Sequence, residues 1–180
     1  MMEKILIKNY KTPVGELVLG SYQDKLCVCD WKYRKMRQVV DDRIKNGLKA
    51  EFEEGESAVL DHTIQQLNDY FERKREAFDI PLLLVGTPFQ KSVWAALQRI
   101  SFGKTSSYLG LSELLGNPDA IRAVASANGA NALSILIPCH RIIGSDGSLV
   151  GYAGGLDAKK KLLMLEGVQV LSAKNQIPLF

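Results

Sequence analysis

Along the first third of the chain, apolar residues come in short runs, each closed by turn chemistry. "KILIK" at 4–8, "ELVLG" at 16–20 and "KLCVCDW" at 25–31 read as three β-strands, with turns at Thr12-Pro13 and Gln23-Asp24. The charged stretch 32–56 reads as helix and loop. From 57 to about 75 the period changes: Leu60, Ile64, Leu67 and Phe71 fall on one stripe, as in an amphipathic helix. "PLLLVGTPF" at 81–89 reads as a linker into a new helix, with Thr87 as N-cap and Pro88 at the first helical position. The helix "FQKSVWAALQRI" turns Phe89, Val93, Trp94, Leu97 and Ile100 inward. After the loop "FGKTSSY", a short helix "LGLSELLG" is closed by Gly116, and Asn117 caps a third, "PDAIRAVASAN", closed by Gly129. The tight Gly116-Asn117-Pro118 connection gives a helix-turn-helix outline, a pattern shared by many helical hairpins that never touch DNA. "LSILIP" at 133–138 reads as a buried strand running into a Gly- and Ser-rich loop. "GLDAKKKLLMLEG" is a final helix, with Asp157 at its start and Gly167 just past its end.

These elements predict an α/β (α+β) chain in two parts: a small strand-rich domain over 1–85 and a helical domain over 86–180. At 180 residues, 46% apolar and 24% charged, the composition is that of an ordinary globular protein, without internal repeats. The N-terminal stretch lacks a signal-like apolar segment and no apolar run approaches 18 residues, so a cytoplasmic protein with no membrane partner is expected. Three cysteines do not make a disulfide framework, and reduced thiols follow. Charge is split unevenly. Residues 1–85 carry 14 Lys+Arg against 15 Asp+Glu, and residues 86–180 carry 9 against 5. The basic half suits a polyanionic partner or simply a solvated surface. The third helix is thin, built on Ala120, Ala123, Ala125, Ser126 and Ala127, with Arg122 its only long cation. Small residues suit both close approach to a ligand and tight helix packing.

The chemistry concentrates at Cys139-His140. An unperturbed thiol is only a few per cent ionised at neutral pH, and a nearby imidazole can take its proton. Neighbours on a strand point to opposite faces, so direct contact between the two needs an unusual backbone or an intervening water. A carboxylate would fix the imidazole tautomer. Glu166 is a candidate because it sits in the last turn of its helix, where the dipole disfavours an anion, although spacing alone reads it as a surface glutamate. A thiol-peptidase reading fits poorly, since those enzymes use a Cys and a His distant in sequence. A metal at Cys139-His140 would need two further ligands, and this half has no other Cys or His. Cys27 and Cys29 on one strand face read as buried cysteines rather than metal ligands, and His62 as a surface or boundary residue.

"ILIPCHRIIGSDGSLVGYAGGLDAKKKLLMLEG" closely resembles the active-site signature of the O6-alkylguanine-DNA alkyltransferases (methylated-DNA–protein-cysteine methyltransferases). "TPFQKSVWAALQRISFGKTSSY…LLGNPDAIRAVASANGANALSI" resembles their DNA-binding half, and "TPVGELVLG…DKLCVCDW" their small, RNase H-like N-terminal domain. The resemblance implies a helix-turn-helix, winged-helix-like DNA-binding domain carrying the active site. It implies direct reversal of damage in double-stranded DNA. Cys139 takes the alkyl group of O6-methylguanine, and of O4-methylthymine, from a flipped-out base in one irreversible turnover. His140 would reach the thiol through a water, with Glu166 holding the imidazole and Asn131 bracing the turn. Tyr108 would protonate the departing purine and crowd the phosphate, and Arg122 would fill the vacated stack. Asn117 and Ser145 match positions that touch the DNA backbone, and Tyr152, Ala153 and Gly154 match the guanine pocket. The resemblance implies a monomer without cofactor.

The chain also departs from the family pattern. Leu109 stands where many members have a DNA-contacting glutamine, Phe89 where some have a threonine, and Ala153 where some have a serine. Tyr22 and Cys27 occupy two positions of the zinc site some relatives carry, so no metal is expected. Two other readings keep DNA binding but lose the chemistry: an alkyltransferase-like damage sensor and a helix-turn-helix regulator. The intact Pro-Cys-His-Arg argues against the first, and the second leaves Cys139, His140 and Glu166 without a purpose.

Overall fold

The computed structural model describes residues 1–170. Three long strands open the chain: β1 at Glu3–Thr12, β2 at Gly15–Tyr22 and β3 at Lys25–Trp31. The β2–β3 hairpin turns on two residues, Gln23 and Asp24, both at positive φ (48° and 59°), the conformation whose twist matches a two-residue hairpin. Between β1 and β2, the Thr12 hydroxyl accepts from the backbone N–H groups of Val14 and Gly15 and pins the bend.

The stretch read as helix and loop yields helix α1 at Arg37–Leu48 and also a strand, β4 at Ala50–Glu54. β4 pairs parallel with β1, giving a sheet ordered β3-β2-β1-β4, otherwise antiparallel. Helix α2 covers Ala58–Phe71, shorter than 57–75, and buries Val59, Leu60, Thr63, Leu67 and Tyr70, with Ile64 and Phe71 only partly covered. The free edge of β3 is closed by two later segments. Leu26 exchanges backbone bonds with Pro81 and Leu83 (2.8 Å each), and Cys29 with Ala132 and Ser134 (2.8 and 2.7 Å). Residues 81–83 are therefore more than a linker.

Helix α3 at Pro88–Leu97 starts with a full capping box between Thr87 and Gln90. Phe89 does not turn inward: it is 40% exposed, because it lies in the first turn on the solvent side. Helix α4, at Tyr108–Leu114, begins with Tyr108 itself, capped by Ser107, and the chain leaves it through Gly116 at φ 73°. The next helix opens with a 3-10 turn at Pro118–Ala120 and continues as α5, Ile121–Gly129. Asn117 makes no side-chain cap, and Gly129 lies within the helix, which ends at Ala130 in ordinary right-handed conformation. Helix α6, Leu156–Leu165, closes the described fold. The larger of two apolar clusters runs through both halves, from Leu17, Leu19 and Trp31 to Trp94, Val124 and Leu162, and a second gathers Ile5, Val28, Val40 and Ile44. No helix among the described residues is long and apolar enough to cross a membrane.

Candidate active site

The apolar run before Cys139 is not a strand. Residues 131–142 are all buried, but the chain turns sharply at Ile135 (φ 72°) and passes into a 3-10 turn at Cys139–Arg141. An apolar run surrounded by protein on all sides carries no period, so sequence alone does not separate a buried turn from a strand. The turn resolves the adjacency of cysteine and histidine, because successive side chains on it do not alternate between opposite faces.

His140 is fully buried, and its Nε2 donates to Glu166 at 2.8 Å. Nε2 therefore carries the proton, and Nδ1 is the basic nitrogen; it has no hydrogen-bond partner among the described residues. Burial lowers the His140 pKa against the pull of Glu166, which keeps the ring neutral at neutral pH. Glu166 is no surface residue. It caps the C-terminus of α6 at 4% exposure and accepts from Tyr70 Oη (2.7 Å), Arg141 Nε and Nη2 (2.9 Å each) and the Gly103 N–H (3.4 Å). Burial alone would raise this carboxyl, but the bonds and charges of His140 and Arg141 outweigh it and hold its pKa at about 2.

Burial pushes the Cys139 thiol up, and the Asn131 side chain, Lys159 and Arg34 oppose that rise. Asn131 donates to the Ile137 carbonyl (2.9 Å) and accepts from the Leu133 N–H (2.9 Å), tying together the turn that presents the cysteine. Lys159, fully buried on α6, donates to the Val150 carbonyl at 2.8 Å; burial lowers its pKa to about 8, and Cys139 counters this. By contrast the Cys27 thiol is pushed up by burial to about 12, and Cys29 also rises through burial, so neither is a ready nucleophile. Tyr108 and Tyr152, both half-buried, lie near enough to Cys139 for the thiolate to raise their hydroxyls, after burial itself. Chemically, the arrangement can serve as a thiol nucleophile with a neutral base and a carboxylate that orients that base.

Residues 5–84 match the family model for the 6-O-methylguanine DNA methyltransferase ribonuclease-like domain, and residues 88–168 match the model for the DNA binding domain of the same proteins. This chain belongs to the 6-O-methylguanine DNA methyltransferase family. A family member from Methanosarcina barkeri, a methylated-DNA–protein-cysteine methyltransferase, is 43% identical over 157 residues, spanning 87% of this chain and 93% of that one. The constitutive Bacillus subtilis methylated-DNA–protein-cysteine methyltransferase is 37% identical over 162 residues (86% and 90%). The crystal structure of the Mycobacterium tuberculosis protein in complex with DNA superposes with a TM-score of 0.76 at 36% identity, covering 89% of this chain and 91% of that one.

Within this family fold, Cys139, His140, Glu166 and Asn131 come together around one buried turn, with Tyr108 and Tyr152 beside it. Arg122, Asn117 and Ser145 are exposed; Arg122 projects from α5 alongside exposed Ile121, Ala123 and Ser126. Tyr152, Ala153 and Gly154 line a cleft of about 660 Å³. Among the described residues no cluster of His, Cys, Asp and Glu could hold a metal. Sequence reasoning missed Arg141, Lys159 and Tyr70. Lys159, Leu162, Leu163 and Glu166 recur at i, i+3, i+4 and i+7, and that spacing places both charged residues on the buried stripe of α6. Tyr70 gives no such sign, because it reaches Glu166 from α2 across 96 positions.

Proposed function

We propose that this protein repairs double-stranded DNA by moving the alkyl group from O6 of guanine to its own Cys139, once per molecule. The observation that carries this reading is the buried Cys139-His140 pair, with Nε2 of the imidazole bonded to Glu166 and Nδ1 left basic. The thiol proton passes to Nδ1 through a bridging water, and the sulfur attacks the alkyl carbon. A C–S bond forms, the C–O6 bond breaks, and its electron pair stays on the base, which Tyr108 protonates as guanine leaves. The resulting thioether resists hydrolysis, so the protein is consumed. A buried nucleophile cannot reach a base in the stack, so the nucleotide is flipped out. Arg122 takes its place, Asn117 and Ser145 hold the backbone, and Tyr152, Ala153 and Gly154 receive the guanine. O4-methylthymine is a second substrate of the same chemistry. The work divides between residues 1–85, which support the site, and 86–180, which carry it. The protein acts as a cytoplasmic monomer without a cofactor.

Mass spectrometry after mixing with a duplex containing O6-methylguanine tests this. One methyl group per chain, mapped to Cys139, is expected. Tight binding without any mass gain would instead identify a damage sensor.

A further inference from the structure

The loop at Tyr152–Gly154 rests on a side chain from the far end of the chain. Trp31, the last residue of β3, is 4% exposed, and its ring meets Tyr152 edge-on with centroids 5.8 Å apart and planes at 72°. Gly154 lies against the same indole so closely that a Cβ there would stand 2.5 Å from Cε2 and 2.8 Å from Nε1. The opposite rim of the ring is held by Gly15, where a Cβ would come within 2.9 Å of Cζ3. The indole is thus gripped between two glycines. Tyr152 in turn stands edge-on to His140, at 6.5 Å between centroids. The Trp31 N–H and the Tyr152 hydroxyl border this contact, both buried and without a hydrogen-bond partner among the described residues.

We propose that Trp31 is a positioning residue for the guanine pocket: the N-terminal sheet, through this one ring, determines where the Tyr152–Gly154 loop stands relative to Cys139 and His140. The proposal rests on the reading that this loop receives the base. Close-packed interiors transmit small displacements, so a ring of different size moves the loop instead of leaving a gap.

The test uses Trp31→Phe, Gly154→Ala and the double variant, with free O6-benzylguanine in single-turnover alkylation. Each single change is expected to raise the half-saturating concentration about tenfold while the rate at saturation stays within about twofold, the pattern of a binding wall rather than a reacting group. The double variant should lose less than the product of the two, because the smaller phenyl ring makes room for the alanine methyl. Iodoacetamide, which needs no pocket, should label Cys139 equally in all four proteins. Losses that multiply independently, or a parallel drop in iodoacetamide labelling, overturn the proposal. A wild-type protein that gains no benzyl group overturns the functional reading, and the proposal with it.

Discussion

Glu166→Gln removes one charge while keeping the shape of the side chain, so it isolates what that charge does. The carboxyl pKa falls from 4.5 to about 2 in the folded protein. A difference of roughly 2.5 units corresponds to about 3 kcal/mol of stability at pH 7. A second route gives the same size: leaving the Arg141 guanidinium buried without its anion costs roughly 3–5 kcal/mol. Because the folded pKa is depressed, this contribution is complete above the unfolded value and is lost as pH falls toward 2. Urea unfolding of both proteins should therefore show a gap of about 3 kcal/mol at pH 7 that narrows steadily below about pH 5. Methyl transfer should slow on the order of a hundredfold, because the imidazole loses the group that fixes its tautomer. A Gln variant as stable as wild type at pH 7, or a gap that does not narrow on acidification, would refute the reasoning.

Cys139→Ala should abolish methyl uptake in mass spectrometry while damaged-DNA affinity stays within a few fold; methyl appearing on Cys27 or Cys29 would show the wrong nucleophile was chosen. Tyr70→Phe deletes a bond to a charged acceptor and should cost about 1.5–3 kcal/mol in urea unfolding. Lys159→Met removes a cation beside the thiol, so the pH midpoint of Cys139 alkylation by iodoacetamide should move upward; an unchanged midpoint would remove Lys159 from the electrostatics of the site. Arg122→Ala should slow repair of duplex DNA far more than reaction with free O6-benzylguanine, which needs no flipping. It should also lower the log–log salt slope of DNA binding by roughly one unit if the guanidinium meets a phosphate.

The β2–β3 hairpin and the start of α3 were legible because local chemistry settles them: a two-residue turn between two apolar runs, and a threonine followed by a proline in capping order. β4 was hidden because "AEFEE" is mostly acidic and owes its extended form to β1, which lies beside it only after folding. The turn at 133–137 was misread for a related reason, since its positive φ at Ile135 is imposed by the bonds of Asn131 and by pairing with Cys29. The candidate nucleophile and its candidate base stand out from residue type and order. Their surroundings do not, because Tyr70 and Arg34 arrive from segments distant in sequence.

The doubly closed edge of β3 bears on how the protein comes to be made. A ribosome releases the sheet first, with the N–H and C=O groups of Leu26 and Cys29 open along one side, the kind of bare edge that recruits other chains. Pro81 and Leu83 seal the near part within some fifty residues of synthesis, but the far part waits for Ala132 and Ser134, the residues that lead directly into Cys139. The nascent chain is thus exposed to aggregation until the Cys139 turn is docked, and the last part of this edge to close is the one that leads into that turn. Splitting the gene between residues 85 and 86 would leave one fragment with an unpaired strand and the other with a Cys139 turn that has nothing to fold against.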